Sequence, residues 1–460
     1  MTVRNPAECN AMTDQTLPLP LRIPDPITTI EDDPDLPVEV REQLAGFGRR
    51  YARAKAPRTV RAMLDGVRLF ALWCSERGHV WLPATPDTVE AYIEEVGHRG
   101  YGRWRRPDPR SLARYTRLQE RYEALQRKAA QEKRTCRAKP PTAPESVWLE
   151  PKPLKPATLQ QHLWAISTAH RAAGYEDPTK HDHTKLAREA HTRERGARQK
   201  QARALNEPDF TRIVETLDAR IAEHQVILHD LRESHTRLSA LTSAAARAAE
   251  VAAKIAAERT ALTYALRDRA LVHTWHDSLR RVSELVAFQW EDIGRDTDGS
   301  GTLLVRKSKT DQAKAGKIAW LSPETMVALD TWRPECHRVV TAAVERGAAK
   351  CVRMGTADEL DAAAALFVSH HRGGVSPLST VAAVGILNER AAQAGILHRF
   401  SGHSIRVGVT QDLLADGEDI AGIAQAGGWE TPRMVLRYGE RLLAGRNAVA
   451  RRWKKKHGGE

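Results

Sequence analysis

The sequence is poor in aromatic residues and contains no long apolar segment. Phe, Trp and Tyr make up 5% of the 460 residues, although Trp, with 11 copies, is the most frequent of the three. No run of about 18 or more apolar residues occurs, so the sequence predicts no membrane-spanning helix. The N-terminus also lacks the charged-then-apolar pattern of a signal peptide. We therefore expect a cytoplasmic protein without a membrane partner.

The cysteines show no arrangement that would hold a metal ion. They are odd in number, they form no CxxC pair, and none has a histidine at ligand spacing. Scattered cysteines of this kind are typical of reduced thiols in a cytosol. The sequence thus predicts no zinc site at any of the five positions, which are Cys9, Cys74, Cys136, Cys336 and Cys351.

Positively charged residues are in clear excess. The chain has 71 Lys and Arg against 58 Asp and Glu, which gives a net charge of +13 and an isoelectric point near 9.6. An excess of this size favours a polyanionic partner, either nucleic acid or an anionic membrane surface. Charge by itself does not choose between the two.

Apolar periodicity predicts a mainly α-helical chain with a small antiparallel β-sheet, an α+β class, in two or three domains. Residues 1–37 are proline-rich and acidic and predict a disordered tail. Residues 103–139 carry 13 Lys and Arg against four acids and predict an inserted basic helix. That helix is either a solvated charged face or a set of phosphate contacts. Residues 182–204 predict an exposed connecting helix or a linker.

The stretch from Asp209 to Ile293 contains neither glycine nor proline, and its apolar residues follow a 3,4 spacing. This pattern predicts either a helical hairpin that turns near Ser239–Ser243 or a stalk that contacts another protein. Farther on, the apolar runs Thr302–Val305 and Lys317–Leu321 predict an antiparallel hairpin joined by a polar loop.

Four short segments of the C-terminal half carry side chains suited to phosphate chemistry. The first is Leu279–Leu285, on a predicted helix; the second is at the tip of the predicted hairpin; the third is an HxxR motif; and the fourth is a Trp with a Tyr nine residues later. Each is weak alone, since about one or two HxxR matches are expected by chance. The candidates in chain order are Arg281, Glu284, Lys309, His403, Arg406, Trp429 and Tyr438.

The order and spacing of this set resemble the tyrosine recombinase (phage integrase) family. The gaps after Arg281, Lys309, Arg406 and Trp429 are 28, 97, 23 and 9 residues. The segment GHSIRVGVTQDLLADGEDIAGIAQAGGW, residues 402–429, is similar to the family's motif almost throughout. Residues 71–93 and 158–174 are similar to parts of the family's helical core-binding domain.

The resemblance implies a two-domain clamp and a set of domain limits. It covers most of residues 40–100 and 155–450, and a region around 336–365 is longer than the family pattern. The implied parts are the acidic tail 1–37, a helical (SAM-like) core-binding domain at 38–195 with a basic insertion at about 101–154, a linker at 196–204, and a catalytic domain at 205–455 with a helical insertion at about 219–260.

The candidate residues suit the strand-exchange chemistry that the resemblance implies. Planar guanidinium groups of Arg281 and Arg406 match a phosphate, and Trp429 can only donate a hydrogen bond. His403 can donate to the same phosphate or take the proton of the nucleophile, Tyr438. The resemblance implies a covalent 3′-phosphotyrosine and a free 5′-hydroxyl. Lys309 is assigned as general acid for that hydroxyl, and Glu284 as the residue that orients Arg281.

The resemblance further implies the partners and excludes a cofactor. The expected substrate is double-stranded DNA with paired inverted-repeat half-sites, held by a homotetramer on two sites, and no metal, ATP or other cofactor is required. The expected function is site-specific recombination that integrates, excises or resolves phage, plasmid or mobile-element DNA. The alternatives are a type IB-like topoisomerase and a non-catalytic DNA-binding protein of the same fold.

Overall fold

The computed structural model describes residues 36–105, 109–132, 134–135, 138–196, 198, 201–306, 316–347, 365–371 and 374–457. Most of the acidic tail and the candidate general acid Lys309 lie outside the described residues. The chain divides into two compact units, residues 1–199 and 200–460. The predicted fold class is confirmed, because both units are mainly helical and the strands form only small antiparallel sheets.

The first unit contains six α-helices and a two-stranded ribbon in its described part. The helices are α1 (Val38–Ala54), α2 (Pro57–Arg77), α3 (Pro86–Tyr92, extended by the π-helix Ile93–Arg99), α4 (Pro109–Gln131), α5 (Pro156–Ala172) and α6 (Asp182–Arg195). The ribbon pairs β1 (Arg103–Arg105) with β2 (Val147–Leu149).

Helices α2 and α5 form the centre of this unit. Their apolar residues recur at helical spacing, and the largest, Phe70 and Trp73, are almost fully buried beside Leu163. Gly66 allows the close approach, because a Cβ there would lie 2.8 Å from that of Ala165. Helix α3 starts where its sequence predicts, since the hydroxyl of Thr85 accepts a hydrogen bond from the third amide of the helix.

Helix α6 is not the exposed connector that its polar composition predicted. Ala187 belongs to the same buried cluster as Phe70, and His191 is fully buried. The Nε2 atom of His191 lies 3.1 Å from the carbonyl oxygen of Leu154. The prediction was wrong because three buried side chains, those of Thr184, Ala187 and His191, pack this helix into the unit, while its average composition remains polar.

The second unit combines a long helical hairpin with short strands and further helices. Its helices are α7 (Glu207–Ser239), α8 (Ala245–Ser278), α9 (Val282–Leu285), α10 (Pro323–Glu345), α11 (Thr380–Gln393), α12 (Ser404–Asp416), α13 (Ile420–Ala426), α14 (Arg433–Tyr438), α15 (Glu440–Ala444) and α16 (Ala448–His457). Its strands are β3 (Ile293–Arg295), β4 (Gly301–Val305), β5 (Lys317–Leu321), β6 (Val368–His371) and β7 (Gly374–Pro377).

The glycine-free stretch folds as the hairpin that one of the two interpretations predicted. Helices α7 and α8 pack against each other, and the 3-10 turn Thr242–Ala244 reverses the chain between them. Only the half of α8 nearer its C-terminus is deeply buried, with Trp275 at its centre. The sheet β3–β4–β5 is antiparallel throughout, so the predicted strand pair before α10 is confirmed.

Two local predictions near the candidate site were wrong. The segment Leu279–Leu285 is not one helix, because α8 ends at Ser278 and Arg281 caps the separate one-turn helix α9. The Thr-Pro pair at 431–432 predicts Thr431 as the N-cap and Pro432 as the first residue of the helix that carries Tyr438, but Pro432 takes the cap position of α14. In the described ranges, no helix combines the length and the apolar character needed to cross a bilayer.

Candidate active site

The chain reverses between α8 and α9 through one strained residue. Leu279 has φ of +48°, and no other non-glycine residue in the described ranges has a positive φ. Such a conformation costs about 1–2 kcal/mol for a residue with a Cβ. Its carbonyl oxygen accepts a hydrogen bond from Nη1 of Arg406, and the next carbonyl, of Arg280, accepts one from the indole of Trp275 at 3.0 Å. Both carbonyl oxygens of the strained turn are therefore hydrogen-bonded to buried side chains, those of Arg406 and Trp275.

Glu284 holds Arg281 at the start of α9. One carboxylate oxygen accepts the backbone N–H of Arg281 at 3.1 Å, and the other accepts its Nη1 at 2.9 Å. Glu284 is buried and the side chain of Arg281 is partly exposed. The same carboxylate therefore caps the helix and fixes the guanidinium, which is the geometry expected of an orienting residue.

Three successive carbonyl oxygens at the end of α13 each accept a hydrogen bond from a different cation. Arg280 donates to Ala426 at 2.6 Å, Arg406 donates to Gly427 at 3.1 Å, and Lys317 donates to Gly428 at 3.1 Å. The last carbonyls of a helix have no partner within it, and cations near them are stabilising. We call Arg280, Arg406 and Lys317 the carbonyl clamp.

The clamp fixes the backbone directly before Trp429. Helix α13 ends in a Schellman motif, in which Gly428 N–H donates to Gln425 and Trp429 N–H donates to Ala424. Gly428 has φ of +66°, which favours glycine at that position. Gly427 is required for another reason, because a Cβ there would overlap the indole ring of Trp429.

The indole of Trp429 lies between Arg406 and Tyr438. The guanidinium carbon of Arg406 is 4.5 Å from the centre of the Trp429 ring, a cation–π contact. The Tyr438 ring meets the same indole edge-to-face, with centroids 5.8 Å apart. Tyr438 is 9% exposed and Arg406 is 1% exposed, so the nucleophile candidate and the cation are both largely withdrawn from water.

The backbone of Tyr438 is held from two sides. Its carbonyl oxygen accepts one hydrogen bond from the amide of Gln411 at 2.9 Å and another from the amide of Gln201 at 3.1 Å. The following Gly439 is packed rather than loose, because a Cβ there would overlap Leu414. The glycine that in sequence predicts a weakened helix end therefore serves a close approach to α12.

His403 lies at the N-terminal boundary of α12, one turn before Arg406. Its side chain is exposed, whereas that of Arg406 is buried. Its backbone N–H donates to the hydroxyl of Ser401 at 3.3 Å, and its carbonyl accepts the N–H of Val407. The HxxR motif thus has an exposed imidazole at His403 and a buried guanidinium at Arg406.

The two buried arginines of the site, Arg280 and Arg406, have lowered pKa values. Burial, reinforced by the nearby charge of Arg281 and opposed by Tyr438, lowers the pKa of Arg406 to about 10. Burial likewise lowers the pKa of Arg280, against the opposing effect of Glu284. Both guanidinium groups stay protonated at neutral pH, so the site concentrates positive charge in a water-poor environment.

The structure brings together Arg281, Glu284, Arg406, Trp429 and Tyr438. It leaves Lys309 without a description, and it adds residues that sequence reasoning did not single out. Arg280 is 2% exposed, and the only sequence signal for it was a second arginine directly before Arg281. No local pattern identifies the other three, which are Lys317, Gln201 and Gln411.

Comparison with known proteins finds a family whose model matches the part of the chain that carries this arrangement. Residues 246–442 match the model of the phage integrase family, and this range contains every candidate residue. The chain is also 24% identical over 447 residues to Recombinase cre of Escherichia phage P1, covering 92% of this chain and 97% of that protein. Both matches are to recombinases and integrases, so residues 246–442 of this chain resemble the phage integrase family.

The chain is also similar to solved structures of recombinases, with low TM-scores. The XerH site-specific recombinase bound to a palindromic difH substrate has a TM-score of 0.42 at 13% identity, with 89% of this chain and 95% of that chain covered. The XerA recombinase has a TM-score of 0.33 at 15% identity, with 90% and 98% covered. The resemblance to the family rests on the sequence matches. The family model begins at the start of α8, so α4 and all of α7 lie outside it.

Proposed function

We propose that the protein is a site-specific DNA recombinase that cuts and rejoins strands through a covalent 3′-phosphotyrosine on Tyr438. The observation that carries this proposal is the contact of Tyr438 with an indole that also covers the buried guanidinium of Arg406. A tyrosine placed beside two arginines and edge-on to a tryptophan suits attack on a bound phosphate. The resemblance of residues 246–442 to the phage integrase family supports the same function.

In this mechanism the protein neutralises the charge that develops on the phosphate. Arg281 and Arg406 donate to the non-bridging oxygens, and Trp429 and His403 supply further N–H donors. Because Glu284 and two backbone carbonyls already fix the two guanidinium groups, little reorganisation is needed when the phosphate binds. Donors of this kind are each worth about 10²–10³ in rate.

The covalent step exchanges one ester for another. The phenolic oxygen of Tyr438 bonds to phosphorus as the bond from phosphorus to the 5′-oxygen breaks, and His403 is suited to take the phenolic proton. Lys309 is assigned to give a proton to the departing 5′-oxygen. The ester keeps the bond energy, so a second 5′-hydroxyl can attack it and restore a phosphodiester without a cofactor.

We also propose a homotetramer on two DNA sites with inverted-repeat half-sites, in which α16 docks on a neighbouring protomer. No residue of α16 is buried, and Val449 and Trp453 are 76% and 61% exposed. Such side chains gain from burial at an interface. In this scheme the first unit is the core-binding domain and the second is the catalytic domain, acting in the cytoplasm where the DNA lies.

The chemistry is tested with a nicked duplex. A duplex selected by the protein from a random library is nicked near the cleavage position, so that the cut strand cannot be rejoined. We expect a covalent protein–DNA adduct with the wild type and none with Tyr438→Phe, which keeps the ring but removes the nucleophile. Binding without any adduct in the wild type contradicts the catalytic proposal.

Strand exchange separates a recombinase from a topoisomerase with the same chemistry. We expect recombinant products only when two selected sites are present, and a loss of these products in Trp453→Ala with little change in binding to one half-site. Relaxation of supercoiled plasmid that needs no second site, without exchange, would favour the topoisomerase.

A further inference from the structure

Helix α4 carries a row of cations along one side. In an α-helix, successive residues are about 100° apart, so Arg114, Arg117, Arg121 and Lys128 fall within an arc of roughly 60°. We call these four residues the basic stripe. It extends over about 21 Å of helix, and neither of the two acids of α4, Glu120 and Glu123, falls within the arc.

The stripe is accessible to a partner. The side chains of Arg114, Arg117, Arg121 and Lys128 are all exposed. Within the part of the chain that the structure describes, none of those three arginines forms an ion pair, and Lys128 has only a 4.0 Å contact with Glu132. A row of like charges repels itself unless an anion neutralises it.

The less exposed positions of α4 lie on a different side from the basic stripe. They are Ser111, Tyr115, Gln119, Tyr122 and Ala129, and Ala129 is buried. These positions are about 60° or more from the basic stripe around the helix. The basic stripe therefore lies on a more exposed side of the helix.

The ribbon β1–β2 closes the base of the insertion. It pairs Trp104 with Trp148, so the chain leaves and re-enters the first unit at one place. Gly100 lies there with φ of +87°, and a Cβ at this residue would overlap the backbone of Lys152. The insertion is thus a closed arm whose helix presents the stripe.

We propose that α4 is an accessory arm that binds the phosphate backbone of duplex DNA through the basic stripe. This inference rests on the proposed DNA substrate but not on the tyrosine chemistry. Three of the four cations are arginines, whose planar forks match phosphate oxygens better than a point charge does. Contacts of this kind add affinity without base specificity. Lipid headgroups and acidic proteins are the competing partners.

The salt dependence of DNA binding tests the arm. Each phosphate contact contributes about 0.9 to the slope of log K against log salt concentration. We expect the triple variant Arg114→Gln, Arg117→Gln, Arg121→Gln of the full chain to lower the magnitude of that slope by about 2 to 3 on a duplex of about 40 base pairs. Glutamine has nearly the helix propensity of arginine, so circular dichroism is expected to remain unchanged.

A matched pair of single variants separates position from charge. Arg121→Gln removes a stripe charge, whereas Arg127→Gln removes the same charge from the same helix about 80° away from the stripe. We expect the magnitude of the slope to decrease by about 0.9 for Arg121→Gln and to stay unchanged for Arg127→Gln. Equal effects of the two, or no effect of the triple variant, overturn the proposal.

Two further measurements identify the partner and isolate the arm. Loss of binding to phosphatidylserine vesicles in the triple variant, with an unchanged DNA slope, overturns the proposal in favour of a membrane surface. At low salt, where the DNA is bound, the triple variant is expected to form the covalent adduct at the wild-type rate. If the wild type forms no adduct but the slope falls as expected, the recombinase proposal fails and the arm stands.

Discussion

The guanidinium of Arg280 fills the space into which a side chain at Gly428 would project. A Cβ at residue 428 would overlap Nη1 of Arg280, whose Nη2 donates to Ala426 and whose Nε donates to Ser278 at 2.6 Å. The turn after α8 and the end of α13 are therefore joined by one buried cation. Because Arg281 follows Arg280 and Trp429 follows Gly428, this contact sets the positions of two candidate residues at once.

Substitution of Gly428 is expected to disturb the site more than backbone strain alone does. Gly428→Ala forces both a positive φ and an overlap with Arg280, so we expect about 2–3 kcal/mol lower stability and a cleavage rate about 100-fold lower. Urea unfolding and single-turnover cleavage measure the two effects. Gly417→Ala is the matched control, since Gly417 has φ of +94° with no atom within 4 Å of a Cβ. Equal losses at the two glycines would contradict the packing argument.

Removal of the Arg280 charge is expected to slow cleavage without weakening DNA binding to the same degree. Arg280→Met keeps the length of the side chain but leaves the carbonyls of Ser278 and Ala426 without their donor. We expect a 10- to 100-fold lower cleavage rate from the bound complex, because the clamp no longer fixes the turn before Trp429. Arg280→Lys is expected to recover part of the rate. Equal rates for Met and Lys variants that both fold would refute a positioning role for the charge.

The two glutamines at Tyr438 are expected to act together. Gln411→Leu or Gln201→Leu removes one donor and leaves the other, so each single variant is expected to cost about 1 kcal/mol and to change the adduct rate only a few-fold. The double variant leaves the Tyr438 carbonyl without either donor. Its losses of stability and of adduct rate are expected to exceed the sum of the losses of the two single variants. A double-mutant cycle on adduct formation measures this, with exposed Gln425→Leu as the control. Strict additivity would show that the two amides act independently.

The stability of the second unit is expected to depend on pH through His276. Burial alone would lower the pKa of His276, but Asp277 and Glu207, at 3.4 and 3.3 Å, outweigh burial and raise it to about 9. The folded pKa lies above the ordinary value of about 6.5, so the stabilisation is complete below about pH 6.5 and is lost as the pH rises through about 9. His276 joins the start of α7 to the end of α8.

Thermal unfolding of wild type and His276→Gln from pH 6 to pH 10 tests this dependence. We expect the difference in Tm between the two proteins to be largest near pH 6 and to shrink towards zero near pH 10. His229→Gln, on the exposed part of α7, is the control and is expected to show no such trend. A difference that is constant with pH would rule out the ion pairs as its source.

The sequence by itself determined the helical character and the set of candidate residues. Helical periodicity is local, so it indicated a mainly helical chain and the α7–α8 hairpin. The order of Arg281, Arg406, Trp429 and Tyr438 pointed to the family because family motifs survive in sequence spacing. The roles of these residues remain proposals.

Only the tertiary structure decided how those residues are supported. The helix break at Leu279 is invisible in sequence because a leucine rarely adopts a positive φ. Here the buried guanidinium of Arg406 stabilises the turn by donating a hydrogen bond to the carbonyl oxygen of Leu279. In sequence, Arg280 and Lys317 cannot be told from surface cations. In the structure, each donates a hydrogen bond to a carbonyl oxygen more than 100 residues away. Periodicity reports which side of a helix is apolar, whereas a contact between distant segments depends on how the whole core packs.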